Sequence, residues 1–263
     1  MNPAVPPIAE LHAPAGWRAV DCLSDLHLEP GAPATLAALA RHLRATTADA
    51  VLLLGDLFEV WVGDDAMDEP GSFEGECCAL LREAAQLRPT YFMHGNRDFL
   101  VGAEFSRRTG IVLLADPTLL VFAGRRWLLS HGDALCLDDL PYQRFRALSR
   151  EPAWQGALLA RPLAERRATG RNARDASEAK KQAGNAPYAD VHPQAVQAWL
   201  QAARADALVH GHTHLPADHV LPGGAMRHVL TDWDLAATPP RAGVLRLGAH
   251  GAERLPLAGF SCH

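Results

Sequence analysis

Three short apolar runs, at residues 18–24, 50–54 and 90–93, alternate with two stretches whose apolar residues recur at helical spacing. In the first stretch Leu36, Leu39, Ala40 and Leu43 share a face, and in the second Phe73, Cys77, Leu80, Leu81, Ala84 and Leu87 do. This strand–helix–strand–helix–strand order constrains the fold more than any other feature. Parallel strands need a crossover, and the helix that makes it must bury its apolar face on the sheet. Pro30-Gly31, Pro89 and Gly95 punctuate the elements.

Further on, residues 119–122 and 127–130 flank a turn at Gly124, a hairpin pattern that makes the sheet mixed. Runs at 207–210, 227–230, 244–247 and 254–257 predict four more short strands. Eight or nine strands with few helices between them predict an α/β (α+β) fold of two packed mixed sheets, a β-sandwich flanked by helices. Residues 138–200 offer no strand run and are rich in Ala, Arg, Gln and Glu, so they are expected to form a helical insertion, a lid. The core is then 17–137 with 201–263, and the proline-bearing stretch 1–16 is expected to be a flexible segment.

Composition narrows the function classes. A net charge of −5 and a pI near 6.2 give no basis for a nucleic-acid partner. The charge is uneven, because residues 144–181 carry ten Lys or Arg against four acids, leaving −11 on the rest of the chain. Five cysteines, an odd number with no C-x-x-C spacing, point to neither a disulfide framework nor a thiolate zinc site. No apolar run is long enough to cross a bilayer and residues 1–16 lack the make-up of a signal peptide, so a cytoplasmic protein is expected.

The chemistry sits at the strand ends. Asp25-Leu26-His27, Gly55-Asp56, Gly95-Asn96-Arg97-Asp98 and His131-Gly132-Asp133 each follow a predicted strand, and His210-Gly211-His212-Thr213-His214 closes another. Loops at the carboxyl ends of strands can converge on one site although distant in sequence. One such block is common by chance; five in this order at strand ends are not. Strand alternation predicts that His212 and His214 lie on the same side of the chain. His210 and His94 are expected to pack, Cys22 to sit in the core, and Asp133 either to orient His131 or to cap the next turn. Asp64 and Asp65 have no derivable chemistry, and a solvated acidic loop accounts for them equally well.

These blocks resemble the signature blocks of the calcineurin-like metallophosphoesterase superfamily. With Leu57-Phe58-Glu59, Trp61, Gly63-Asp64-Asp65, Phe99-Leu100, Asp138-Asp139 and Tyr142, the chain more closely resembles the UDP-2,3-diacylglucosamine hydrolases, the pyrophosphatases of lipid A biosynthesis. The resemblance implies two divalent metal ions, with Mn²⁺ favoured. Asp25, His27, Asp56 and His214 would hold the first, and Asp56, Asn96, His131 and His212 the second. It also implies two-metal hydrolysis with attack at the α-phosphorus, giving UMP and 2,3-diacylglucosamine 1-phosphate, with Asp56, Asn96 and Arg97 as the catalytic groups. Arg97 can donate to phosphoryl oxygens, the alternative being a salt bridge to Asp98.

Substrate contacts implied by the resemblance are Asn96, Arg97, His212, Asp139, Ser177 and, nearby, Tyr142. Where relatives place an asparagine and then a lysine after Ser177, this chain has Lys181 and Gly184, so either the loop is shifted or Lys181 meets the phosphate. Trp154, Ala157, Leu158 and Leu159, followed by Arg161, Arg166 and Arg167, could enter a lipid interface with their charges on headgroups, or could pack as core. The expected partners are a UDP-diacylglucosamine lipid and the cytosolic surface of the inner membrane, with the protein peripheral and monomeric. A generic dinuclear-metal phosphodiesterase and a non-catalytic scaffold of the same fold are the competing readings.

Overall fold

The computed structural model describes residues 5–182 and 190–257, with side chains described to residue 174 and again from 190. Twelve strands among these residues form two six-stranded sheets. The first sheet is built on β2 (Ala19–Leu23), β3 (Ala50–Leu54), β4 (Thr90–Met93) and β5 (Val112–Leu114), all parallel. β11 (Gly243–Gly248) and β12 (Gly251–Pro256) extend it antiparallel beyond β2. The second sheet runs β1 (Ala9–His12), β6 (Thr118–Phe122), β7 (Arg125–Leu129), β8 (Ala207–His210), β10 (Met226–Val229), β9 (Ala217–Val220). Both sheets mix parallel and antiparallel pairs, as the strand pattern predicts.

Strand alternation explains the layers. On β3, Ala50, Leu52 and Leu54 enter the core between the sheets with Leu120, Trp127, Leu129 and Val209 from the second sheet. Val51 and Leu53 face the other way, onto α1 (Pro33–Ala45), α2 (Phe73–Leu87) and α3 (Ala103–Thr109). A strand buried on both faces must be apolar throughout, and β3 reads Ala-Val-Leu-Leu-Leu. The outer face of the second sheet is covered by α7 (Pro193–Ala203), through Ala195, Val196, Trp199 and Leu200.

The polar exception on β2 is Asp21, fully buried yet satisfied by Arg246 at 2.7 and 3.0 Å and by the Thr46 hydroxyl at 2.5 Å, with His42 Nε2 3.2 Å away. Burial pushes its carboxyl up, but His42, Arg246 and Thr46 outweigh that and hold its pKa at about 2. The folded value is below the ordinary ~3.9, so on acidification the unfolded chain takes the proton first. The stabilisation is therefore complete above about pH 4 and is lost as pH falls towards 2. Asp21→Asn is expected to cost about 2 kcal/mol in urea unfolding at pH 7 and far less near pH 2.

Three parts depart from the sequence reading. Ala9–His12, within the stretch expected to be flexible, is a strand paired in parallel with β6. β5, β9 and α3 were outside the sequence expectations: β5 spans three residues, β9 alternates half-buried with exposed positions on an edge, and α3 has seven residues, all too short for periodicity to register. The insertion forms α4 (Leu140–Ser149), α5 (Pro152–Leu159) and α6 (Leu163–Gln182), whereas α7, placed in the lid by composition, packs into the core.

Candidate metal centre and its apolar annex

The loops leaving β2, β3 and β4 stay zipped together past the strand ends. Asp25 N donates to Gly55 O at 3.1 Å, His27 N to Asp56 O at 3.0 Å, and Trp61 N to Arg97 O at 3.2 Å. In the second sheet Gly211 N donates to His131 O at 2.9 Å, joining the loop after β8 to the loop after β7, and His212 N donates to Asp25 Oδ2 at 3.0 Å across the sandwich. All five sequence blocks therefore meet at one end of the two sheets.

The donors gather in two groups, Asp25 with His27 and His214, and Asp56 with His131 and His212. In the first, His27 Nε2 and His214 Nε2 are 3.4 Å apart, and His214 Nε2 is 3.5 Å from Asp25 Oδ1. In the second, Asn96 Oδ1 lies 3.0 Å from His131 Nε2 and 2.8 Å from His212 Nδ1, while His131 Nε2 is 3.6 Å from Asp56 Oδ1. Metal–ligand bonds of ~2.1 Å place neighbouring donors roughly 3.0–3.5 Å apart. His131 Nδ1 donates to Leu54 O at 3.0 Å, which leaves the Nε2 lone pair aimed into the group. Imidazole nitrogens and carboxylate and amide oxygens converging in this way suit a divalent cation.

The surrounding carboxylates favour positive charge at this point, held as a proton on His131 when no metal ion takes its place. Burial opposes charge on His131, but the carboxylates of Asp56, Asp25 and Asp133 outweigh it and raise its pKa to about 9. His212, beside that positive ring, is pushed down to about 4 by burial and by His131. Asp98 is pushed up to about 7 by burial and by the Asp56 carboxylate, and it accepts from Gly95 N at 2.8 Å, Leu57 N at 2.7 Å and Phe58 N at 3.3 Å. It holds two motif loops together and does not face the donors' open side.

Backbone strain concentrates here. Among the described residues seven other than glycine have positive φ, and five of them are Asp25, His27, Asp56, His212 and His214. Such conformations cost roughly 1–3 kcal/mol each and persist where surrounding structure imposes them. His212 at φ 68° and His214 at φ 51° lie beyond β8, so strand alternation does not bring them together; left-handed turns do. Close approach adds a second constraint: a Cβ on Gly95 would meet Asp56 Oδ1 at 2.1 Å, and one on Gly211 would meet Asp25 Oδ2 at 2.2 Å.

A cavity of about 450 Å³ leads away from Asn96 and Arg97 beneath α4, α5 and α6. Its walls are mostly apolar, with Val60, Trp61, Val62, Phe99, Leu100, Phe145, Trp154 and Leu158. Asp139 and Tyr142 line it too; Asp139 caps α4 by accepting from Tyr142 N at 3.1 Å, and the Tyr142 ring stacks on His212 with centroids 6.0 Å apart. The side chains of Ser177 and Lys181 lie outside the described residues. Trp154 and Leu158 line this cavity, and Trp154 packs against Phe99 and Phe145.

Several other expectations need correction. The alternative pairing of Arg97 with Asp98 is not formed among the described residues; Arg97 Nη1 is 3.3 Å from Glu59 Oε1 instead. Asp133 accepts from Ala134 N, Tyr142 and Arg146 and so anchors α4, while His131 takes its orientation from Leu54 O. Asp64 is no solvated loop residue, since it accepts from Trp61 Nε1, Gly102 N and Phe105 N at 2.9–3.0 Å. Asp65 pairs with Arg166, which is buried and also donates to Val62 O at 2.6 Å, and Arg167 pairs with Glu69. Those two arginines bolt α6 to the core instead of facing headgroups. His94 and His210 pack as expected and need no correction, bonded to Val101 O and Gly211 O.

The sequence model of the Calcineurin-like phosphoesterase family matches residues 19–216. A UDP-2,3-diacylglucosamine hydrolase of Chromobacterium violaceum is 47% identical over 91% of this chain and 99% of its own. The chain belongs to that family. Relatives bearing the same description from Stenotrophomonas maltophilia and Bordetella pertussis are 42% and 44% identical over 87% and 88% of this chain and 94% and 92% of theirs. In a family of metallophosphoesterases the two donor groups are candidate sites for divalent metals, and the chain is a metal-dependent hydrolase acting on a diphosphate. No helix among the described residues is long and apolar enough to cross a membrane.

Proposed function

We propose that this chain hydrolyses the pyrophosphate bond of UDP-2,3-diacylglucosamine at the α-phosphorus, releasing UMP and 2,3-diacylglucosamine 1-phosphate for lipid A biosynthesis. The observation that carries the reading is the apolar cavity of about 450 Å³ that ends at Asn96 and Arg97 beside the donor groups, a volume within the ordinary range for ligand pockets. A soluble phosphodiester would need no such annex. The relatives' shared description supports the same substrate.

Asp25, His27, Asp56 and His214 would hold one ion and Asp56, Asn96, His131 and His212 the other, with Mn²⁺ the occupant suited to oxygen and imidazole donors without thiolate. Bound there, the ions would activate water and neutralise charge developing on the phosphoryl oxygens. Arg97, fixed at the cavity mouth by Glu59, donates to the same oxygens. Asp139 and Tyr142 lie where the sugar would pass, and Ser177 and Lys181 are assigned to it by family resemblance. The helices α4 to α6 act as the lid, and their walls exclude water from the acyl chains.

The lid also supports a peripheral position on the cytosolic face of the inner membrane. Leu140, Phe145, Leu148 and Leu159 are exposed on α4 and α5, with Arg144 and Arg161 exposed among them. Purified protein loaded with Mn²⁺ is expected to release UMP from UDP-2,3-diacylglucosamine in detergent micelles, and to lose that activity on chelation. Absence of UMP, or equal turnover of soluble phosphodiesters, would overturn the reading in favour of a generic phosphodiesterase.

A further inference from the structure

Glu59, on the loop after β3, touches three separate parts of the site with two oxygens. Its Oε2 lies 2.8 Å from His27 Nδ1, on the side of that ring away from the donor group. Its Oε1 lies 3.3 Å from Arg97 Nη1 and 3.3 Å from Nε of Arg174, a residue of α6. Arg174 also donates to Glu29 Oε2 at 2.5 Å, so α6 is held to the core beside the metal centre by a carboxylate pair. The Glu59 side chain is 12% exposed, which limits screening of these contacts by water.

We propose that Glu59 is a positioning residue that couples the seating of α6 to the geometry of His27 and Arg97. The coupling rests on the reading above in which α4 to α6 close over the substrate. A carboxylate behind a ligating imidazole fixes the ring and raises its basicity. Here the same carboxylate is oriented by Arg174, which moves with the lid. With α6 seated, Oε1 is occupied by both arginines and Oε2 is directed at His27. With α6 lifted, Arg174 leaves, and Glu59 keeps only Arg97 of the two contacts that hold its second oxygen on the histidine. Metal binding at the first group and closure of α6 thereby favour each other, and the coupling must be reciprocal.

Reciprocity makes the inference testable without substrate. Amide hydrogen exchange of α6 would be followed in metal-free protein and at saturating Mn²⁺, for the wild type, Glu59→Gln and Arg174→Gln. Mn²⁺ is expected to slow exchange in α6 about five-fold or more in the wild type, and to leave it unchanged in both variants. Mn²⁺ titration is expected to show one of two affinities weakened by roughly 10–100-fold in Glu59→Gln, with partial recovery in Glu59→Asp, which keeps the charge. Both ions should still bind to Arg174→Gln, which decides the question alone if Glu59→Gln does not fold. A residue that only supports the fold would speed exchange equally with and without Mn²⁺. That result, or metal-dependent protection persisting in the variants or missing from the wild type, would overturn the inference. Failure to release UMP would instead count against the substrate.

Discussion

Asp56→Asn is expected to lower turnover by at least ~10³-fold and to remove one of the two Mn²⁺ ions, measured by UMP release and by metal content after desalting. The substitution is chosen to keep the backbone intact. Asp56 sits at φ 50°, a conformation that asparagine tolerates and most residues do not. Its Oδ1 accepts from Arg97 N at 2.8 Å and lies 3.6 Å from His131 Nε2, so the carboxylate organises the loop as well as the donors. An amide can still accept that hydrogen bond but contributes no negative charge. Loss of the ion with an unchanged melting temperature is therefore the signature of a ligand; retained metal and near-native turnover would remove Asp56 from the site.

Gly95→Ala is expected to be nearly as damaging, although glycine has no side chain to contribute. An added Cβ would lie 2.1 Å from Asp56 Oδ1 and 2.3 Å from Asp56 N, closer than atoms can approach. The neighbour is held by backbone, so Asp56 must shift by about an ångström, and a displacement of that size costs roughly 10²-fold in rate. Turnover should fall with Mn²⁺ affinity. The comparison substitution is Gly71→Asn, on an open loop where a Cβ meets nothing within 4 Å and asparagine accepts φ 72°; it should leave both quantities unchanged. Equal effects at the two positions would mean that the close packing around Gly95 is unimportant.

Much of the donor set was legible because its chemistry demands particular residue types. Carboxylates and imidazoles placed after apolar runs have few structural uses in that position, and five blocks of them imply convergence even before a fold is known. The strands that carry them were legible for a related reason. β3, β4 and α2 are bounded as periodicity predicts, since a strand buried on both faces is predominantly apolar and a crossover helix keeps its apolar stripe. Glu59 and Asp98 were present in the quoted blocks, but nothing in their spacing tells a carboxylate behind a histidine from one facing solvent. Asp64 and Arg166 illustrate the converse, as charged residues for which an exposed position stood as an open alternative hold the loop after β3 and α6 in place.

The amino-acid sequence by itself determined the two-sheet architecture, the family and the residues that can bind metal, because periodicity and ligand chemistry are local properties. Tertiary structure alone decided how those residues meet. His212 and His214 are brought together by left-handed turns rather than by strand alternation, Ala9–His12 becomes a strand only because β6 offers an edge, and α7 belongs to the core because the second sheet must be covered. The apolar cavity beside the donors is likewise invisible in the chain, since its walls come from loops after β3 and β4 and from three helices of the insertion. Each of these depends on contacts between segments distant in sequence, and such contacts leave no periodic trace in either partner.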